Sequence, residues 1–223
     1  MMDLVLFEEA MFHITRINRI IQNPGGNAML IGVGGSGKQS LCRLVAFISD
    51  YEVKQLFITS NFNTEDLKEE LRSMYISSGV KGTQLVFLMT DSQIVNEHFL
   101  VYINGILTSG RIPVSFLKKD FDNILSFFAN DAKADGISKS SESRFNYFVS
   151  RVKRNLHVVL AFYPVGDTFC IRTRRFSGLV NYTSIDQFHA WSRNALVSVA
   201  ERFIDDIQLS ESDIKKSLAN HIA

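Results

Sequence analysis

The stretch GVGGSGKQS at residues 32–40 sets Gly32, Gly37 and Lys38 in the spacing GxxxxGK of a Walker A phosphate loop. Glycines at Gly32, Gly34, Gly35 and Gly37 allow the backbone to fold around phosphate oxygens with its N–H groups pointing inward. The helix that follows adds the positive end of its dipole, and Lys38 would neutralise the β and γ phosphates. Ser36, Gln39 and Ser40 complete the candidate binding set. Chance supplies this spacing about 0.06 times in a chain of this length, so the loop reads as a nucleotide phosphate site rather than a plain glycine turn. One position departs from the pattern. The hydroxyl that ligates magnesium is replaced by Gln39, and Ser40 comes one residue late, about 100° further round the helix. The departure leaves phosphate binding intact and weakens the case for a metal.

A P-loop ATPase also needs a carboxylate at the end of a neighbouring buried strand for magnesium, and a second to polarise the attacking water. Here LVFLM ends in Thr90 and Asp91. Two registers are open: Asp91 is the metal carboxylate with Ser92 after it, or Thr90 holds that place and Asp91 replaces the water-activating Glu. Either way one carboxylate is missing, and together with Gln39 this favours binding over turnover. As a plain strand-end residue, Asp91 would only cap the next helix.

These residues need elements to hold them. NAMLIGV (27–33) is an apolar run that reads as a buried strand, followed by the glycine loop and the helical pattern KQSLCRLVAFIS. VKQLFIT (53–59), TQLVFLMT (83–90) and HVVLAFY (157–163) read as further strands. Helices are expected from Leu4 to Ile21, from Asn63 or Thr64 to Gly79, from about Ile94 to Leu107, near 120–134 and over 141–154. After Asp186 the spacing of Phe188, Trp191, Ala195, Val199 and Phe203 predicts another helix, with Trp191 packing it onto the sheet. Strands that are apolar on both faces and separated by helices mean a parallel sheet covered on both sides. The expected fold is α/β: a three-layer P-loop NTPase with a parallel sheet, followed by C-terminal helices.

Composition agrees with a packed domain. The 223 residues are 46% hydrophobic and 21% charged, with 18 Phe, which leaves enough apolar material for a core and little room for long disorder. Twenty-four basic against 23 acidic residues give a net charge of +1, without the electrostatic footprint of a dedicated nucleic-acid or membrane-surface binder. Charged residues interrupt the N-terminal apolar stretch, so neither a signal peptide nor a membrane span is expected. Cys42 and Cys170 stand in no CxxC or CxxH spacing, and a reduced, cytoplasmic setting is the simpler expectation.

GNAMLIGVGGSGKQSL, VFLMTDSQI, NEHFLVYINGILTSGRIP and NYTSIDQFHAW together resemble the fourth AAA+ module of axonemal dynein heavy chains. The resemblance runs from about Asp3 to Phe203, and GVGGSGKQS and MTDSQ are its most specific strings. It implies that residues 1–191 form an AAA+ nucleotide-binding α/β domain, the large subdomain. Residues 192–223 are then a helical linker or the start of the small subdomain. It implies ATP or ADP at the loop around Gly37 and Lys38, and Asp91 in the Walker B region. Tyr163 falls where a polar sensor residue, usually Asn, touches the γ-phosphate, a further departure that disfavours hydrolysis. Arg172, Arg174 and Arg175 lie where an arginine finger reaches the nucleotide of the neighbouring module, and Arg172 is the first choice. The implied partners are neighbouring AAA+ modules of the same heavy chain, and microtubules only through the parent motor, in the cytoskeleton of a cilium or flagellum axoneme.

The remaining polar candidates read as structural. His13, His98, His157, His189 and His221 have no ligand spacing, RVKR at 151–154 is an exposed helix face, and Phe127, Phe128, Phe145 and Phe148 read as core. A stand-alone phosphotransferase would need the missing magnesium hydroxyl. A structural module that has lost nucleotide binding is the other alternative, and nucleotide titration against Lys38→Ala separates it.

Overall fold

The structure is a computed structural model, and it describes residues 6–111, 124, 140–164 and 166–205. Five parallel strands form one sheet: β1 (Ala28–Gly32), β2 (Glu52–Gln55), β3 (Leu85–Thr90), β4 (Leu156–Phe162) and β5 (Ser184–Phe188), in the order β2-β3-β4-β1-β5. The helices are α1 (Glu8–Gln22), α2 (Lys38–Ile48), α3 (Thr64–Gly79), α4 (His98–Ser109), α5 (Ser141–Asn155), α6 (Asp167–Arg175), α7 (Gly178–Asn181) and α8 (Arg193–Asp205).

The period-two alternation of the central strands divides the core into two layers. Met29, Leu85, Phe87, Met89, Val158, Leu160 and Phe162 face α3, α4 and α5, while Ala28, Leu30, Val86, Leu88, Val159 and Ala161 face α1 and α2. Burying a side chain such as Phe87 or Phe148 contributes about 1.5–3 kcal/mol. The three-layer α/β expectation therefore holds, and the near-continuous apolar runs of β3 and β4 are the reason: each is buried along its whole length.

Local signals set several boundaries. Asn63 caps α3, accepting from the N–H groups of Glu65 and Asp66 while the Asp66 carboxylate accepts from the Asn63 N–H. Gly110, with φ 69°, ends α4. The α1 helix begins at Glu8 rather than Leu4, and β2 stops at Gln55 rather than Thr59.

Two elements differ from the sequence expectation. Residues 184–188 form β5, paired with β1 from Ala28↔Ser184 to Gly32↔Phe188, where the spacing after Asp186 predicts helix. Only Asp186 and Phe188 of that strand are buried, so an ionisable residue sits where an apolar one would have revealed the strand. Trp191 precedes α8 and packs its ring against Phe7 of the chain before α1, with centroids 5.3 Å apart. The arginine cluster forms the last turn of α6, a short helix with no buried residue. The expected helix near 120–134, with Phe127 and Phe128, lies outside the described residues apart from Ile124, and so does His221.

Candidate phosphate-binding site

The glycine loop lies between the C-terminal end of β1 and α2, beside the ends of β3 and β4, where open parallel sheets bind ligands. Gly37 caps α2 in the left-handed region, φ 84°, a conformation that a side chain disfavours. Gly32 is required for a different reason: a Cβ there would come within 2.6 Å of the Phe188 Cβ and carbonyl oxygen on β5. No side chain caps the N-terminus of α2, and its first turn holds no acid, so its N–H groups suit an anion.

Lys38 folds back over its own loop. Its ammonium donates to the carbonyls of Gly32 and Val33, both at 2.7 Å, and to Ser36 Oγ at 3.1 Å, which uses all three of its N–H groups. Burial lowers its pKa below the ordinary lysine value, against the opposing charge of Asp91. Ser36 is buried in the loop, Gln39 is exposed and Ser40 half-buried, while Gly34 and Gly35 are exposed at its tip.

Asp91 opens a single 3-10 turn, Asp91–Gln93, at the end of β3. Both of its carboxylate oxygens are engaged. The backbone N–H of Tyr163, just past β4, donates to Oδ2, and the Arg172 guanidinium on α6 donates from Nη1 to Oδ1 at 3.2 Å. The same guanidinium donates from Nε to Glu97 Oε1 at 2.8 Å. Burial pushes the Asp91 pKa up, and the Tyr163 N–H, Arg172 and Lys38 oppose that rise. Arg172 therefore ties the end of β3 to the approach of α4 within one module. Its side chain is 13% exposed, whereas Arg174 and Arg175 are exposed. The Tyr163 phenol points outward, and it is the backbone of that residue that holds Asp91.

Magnesium fits this arrangement poorly. It takes six oxygen ligands in near-octahedral geometry, commonly a loop hydroxyl and a strand-end carboxylate among them. Gln39 replaces the hydroxyl and Thr90 or Ser92 supplies no charge; Thr90 Oγ1 and Ser92 Oγ bond to each other at 3.0 Å. The strand-end carboxylate is already shared between a backbone N–H and a guanidinium. Among the described residues no group of three His, Cys, Asp or Glu could hold a metal ion.

Sequence reasoning missed several residues around the loop. Gln93 is buried, accepting from the Thr90 N–H at 2.9 Å and donating to the Leu56 carbonyl at 2.6 Å, so it pins the end of β3 to the chain leaving β2. Its only sequence signal was its place in MTDSQ. Asp186 on β5 is fully buried and accepts from His13 Nδ1 at 2.8 Å and Arg16 Nη1 at 2.7 Å, both on α1. The His13 ring stacks on Phe188 with centroids 3.8 Å apart. These rings, with Phe7, Trp191, Leu41 and Ser36, line a cavity of about 360 Å³ that reaches the glycine loop.

Comparison with known proteins places the chain. The family model described as "P-loop containing dynein motor region D4" matches residues 2–223. The chain is 50% identical over 222 residues to the dynein beta chain of the flagellar outer arm from Chlamydomonas reinhardtii. It is 48% identical to the ciliary dynein beta chain of Tripneustes gratilla and 46% identical to dynein axonemal heavy chain 17 of Mus musculus, each over 222 residues. Each alignment covers 100% of this chain and 5% of the relative. With its phosphate loop, parallel sheet and whole-length match, the chain belongs to the P-loop-containing dynein motor region D4 family.

Proposed function

We propose that this module binds ADP or ATP as one nucleotide site of a dynein motor ring, and acts as a regulator of ring conformation rather than as an engine. The carrying observation is the pairing of a well-formed phosphate loop with an engaged Asp91. The uncapped start of α2, the left-handed Gly37 and Lys38 can take up phosphates. The carboxylate that would order an attacking water is instead held by the Tyr163 N–H and Arg172. The aromatic cavity beside the loop suits the base, with the His13 and Phe188 rings as its floor.

In this reading residues 1–191 are the nucleotide-binding unit, and 192–223 lead toward a small subdomain. An arginine for the neighbouring module's nucleotide falls to Arg174 or Arg175, which are exposed, in place of the inward Arg172. The partners are other modules of the same heavy chain, and microtubules enter only through the whole motor. The names of the relatives support an axonemal setting. Among the described residues no helix is long and apolar enough to cross a membrane.

Titration of the purified chain with fluorescent ADP and ATP, against Lys38→Ala, tests the reading. Saturable binding that Lys38→Ala abolishes supports it. Absence of binding by the wild type favours a purely structural module. Multiple turnovers of ATP at rates typical of motor ATPases remove the regulatory part.

A further inference from the structure

Resting on the nucleotide reading, we propose that Arg172 is a positioning residue acting within its own module: it occupies Asp91 in place of a metal, so that nucleotide binding here does not require a divalent cation. Four charged groups stand around the ends of β3 and β4. Lys38 and Arg172 are cationic, Asp91 and Glu97 anionic, and the set is neutral as it stands.

In a P-loop site that uses magnesium, the metal lies between phosphate oxygens and the strand-end carboxylate and cancels their repulsion. Here the guanidinium performs that cancellation from the protein side. It reaches Asp91 Oδ1 with Nη1 while Nε holds Glu97, so two carboxylates fix the orientation of one planar fork. The guanidinium is 13% exposed while Asp91 and Glu97 are 34% and 40% exposed, so water screens the contacts from the carboxylate side only.

The same contacts explain why a metal has lost its place. The second Asp91 oxygen is taken by the Tyr163 N–H, and the loop position that would supply a hydroxyl holds Gln39. Arg172, Tyr163 and Gln39 come from three separate stretches of chain, and each takes a place that magnesium would need, while Glu97 holds Arg172 in position.

The test is the affinity of the purified chain for fluorescent ADP and ATP in excess magnesium and in EDTA, for the wild type and Arg172→Ala, with folding checked by circular dichroism. Wild-type affinity is expected to change by less than about threefold between the two conditions. In Arg172→Ala the freed Asp91 repels the phosphates, so affinity in EDTA falls by about tenfold or more, and magnesium restores part of it. A second variant, Glu97→Gln, loosens the guanidinium without removing it and should produce a smaller magnesium dependence of the same sign.

A purely structural role for Arg172 would lower affinity equally in both conditions, and that result overturns the proposal even if the nucleotide reading stands. Wild-type binding that collapses in EDTA also overturns it. If the wild type binds nucleotide in neither condition, the nucleotide reading fails first and this inference with it.

Discussion

Arg172 on α6 and Asp91 at the end of β3 are 81 residues apart in sequence and joined by a 3.2 Å contact within one module. The pairing changes what each residue can do. The guanidinium faces Asp91 and Glu97 of its own module, and both Asp91 oxygens accept from protein groups. Asp91 stands at the strand end where P-loop ATPases keep a carboxylate, and here that carboxylate is held in place.

One consequence concerns Asp91 itself. In a hydrolytic site the Asp→Asn change removes the group that activates water and collapses turnover. Here Asp91→Asn keeps an acceptor for the Tyr163 N–H, and Arg172 keeps Glu97. Burial already disfavours the Asp91 charge, so stability should change by no more than about 1 kcal/mol. Phosphate release measured with ATP should change by less than about twofold. A hundredfold drop would return Asp91 to a catalytic role.

In the proposed site Lys38 is the cation that meets the phosphates. Lys38→Ala removes a cation whose three donors are satisfied by the Gly32 and Val33 carbonyls and by Ser36. Since a hydrogen bond to a charged group contributes about 1.5–3 kcal/mol, binding should weaken by on the order of a hundredfold. Calorimetric titration with ADP measures this. An unchanged affinity would mean that the nucleotide binds away from the loop.

Gly37 fixes the loop geometry. Gly37→Ala places a side chain at φ 84°, which costs roughly 1–2 kcal/mol. The nearest atom to such a Cβ is Leu41 Cγ at 3.9 Å, so the cost is conformational rather than steric. Denaturant titration should show that loss, and nucleotide affinity should fall with it because the N–H groups of the loop turn away from the phosphates.

Features built from neighbouring residues were legible in the sequence. The loop, the N-cap at Asn63 and the apolar runs of β1, β3 and β4 depend on residue types within a few positions of one another. Features built from distant residues were not. The partners of Arg172 lie 75 and 81 residues away, and no local pattern marks Glu97. Strand β5 was hidden because it is an edge strand with Ser184, Ile185 and Gln187 exposed. Its buried charge makes sense only once α1 brings His13 and Arg16 against it. Helix α6 was hidden because it buries nothing that would impose a helical period.

Asp186 is the anchor between α1 and β5. Asp186→Ala removes two charge-assisted hydrogen bonds, but Arg16 is 62% exposed and recovers water, so the loss should be about 1.5–3 kcal/mol rather than the full cost of a broken buried pair. His13→Ala leaves the buried carboxylate with Arg16 alone and should cost a comparable amount. It also removes the ring stacked on Phe188. If the cavity receives the base, His13→Ala lowers ADP affinity while inorganic phosphate binding is unaffected, a difference that competition titration reads directly.

His157 on β4 sets an acid limit on stability. Its ring is buried, and Nδ1 is 2.7 Å from the Gly26 carbonyl. A carbonyl can only accept, so the neutral tautomer carries its proton on Nδ1. Burial lowers its pKa below the ordinary 6.5, against backbone hydrogen bonds at Gly26 and Arg154 that favour the cation. Between that lowered value and 6.5 the unfolded chain binds the proton more readily than the folded one. Stability therefore rises with pH through this window, is complete above it, and is lost as pH falls into it. Melting curves at about pH 7.5 and about pH 5.5 should show a fall of roughly 2–4 °C per kcal/mol lost in a chain of this size. His157→Gln cannot titrate there. It loses stability overall with the Tyr51 ring contact, but its pH dependence in this window should be smaller than that of the wild type. Equal slopes in the two proteins would assign the acid sensitivity to another group.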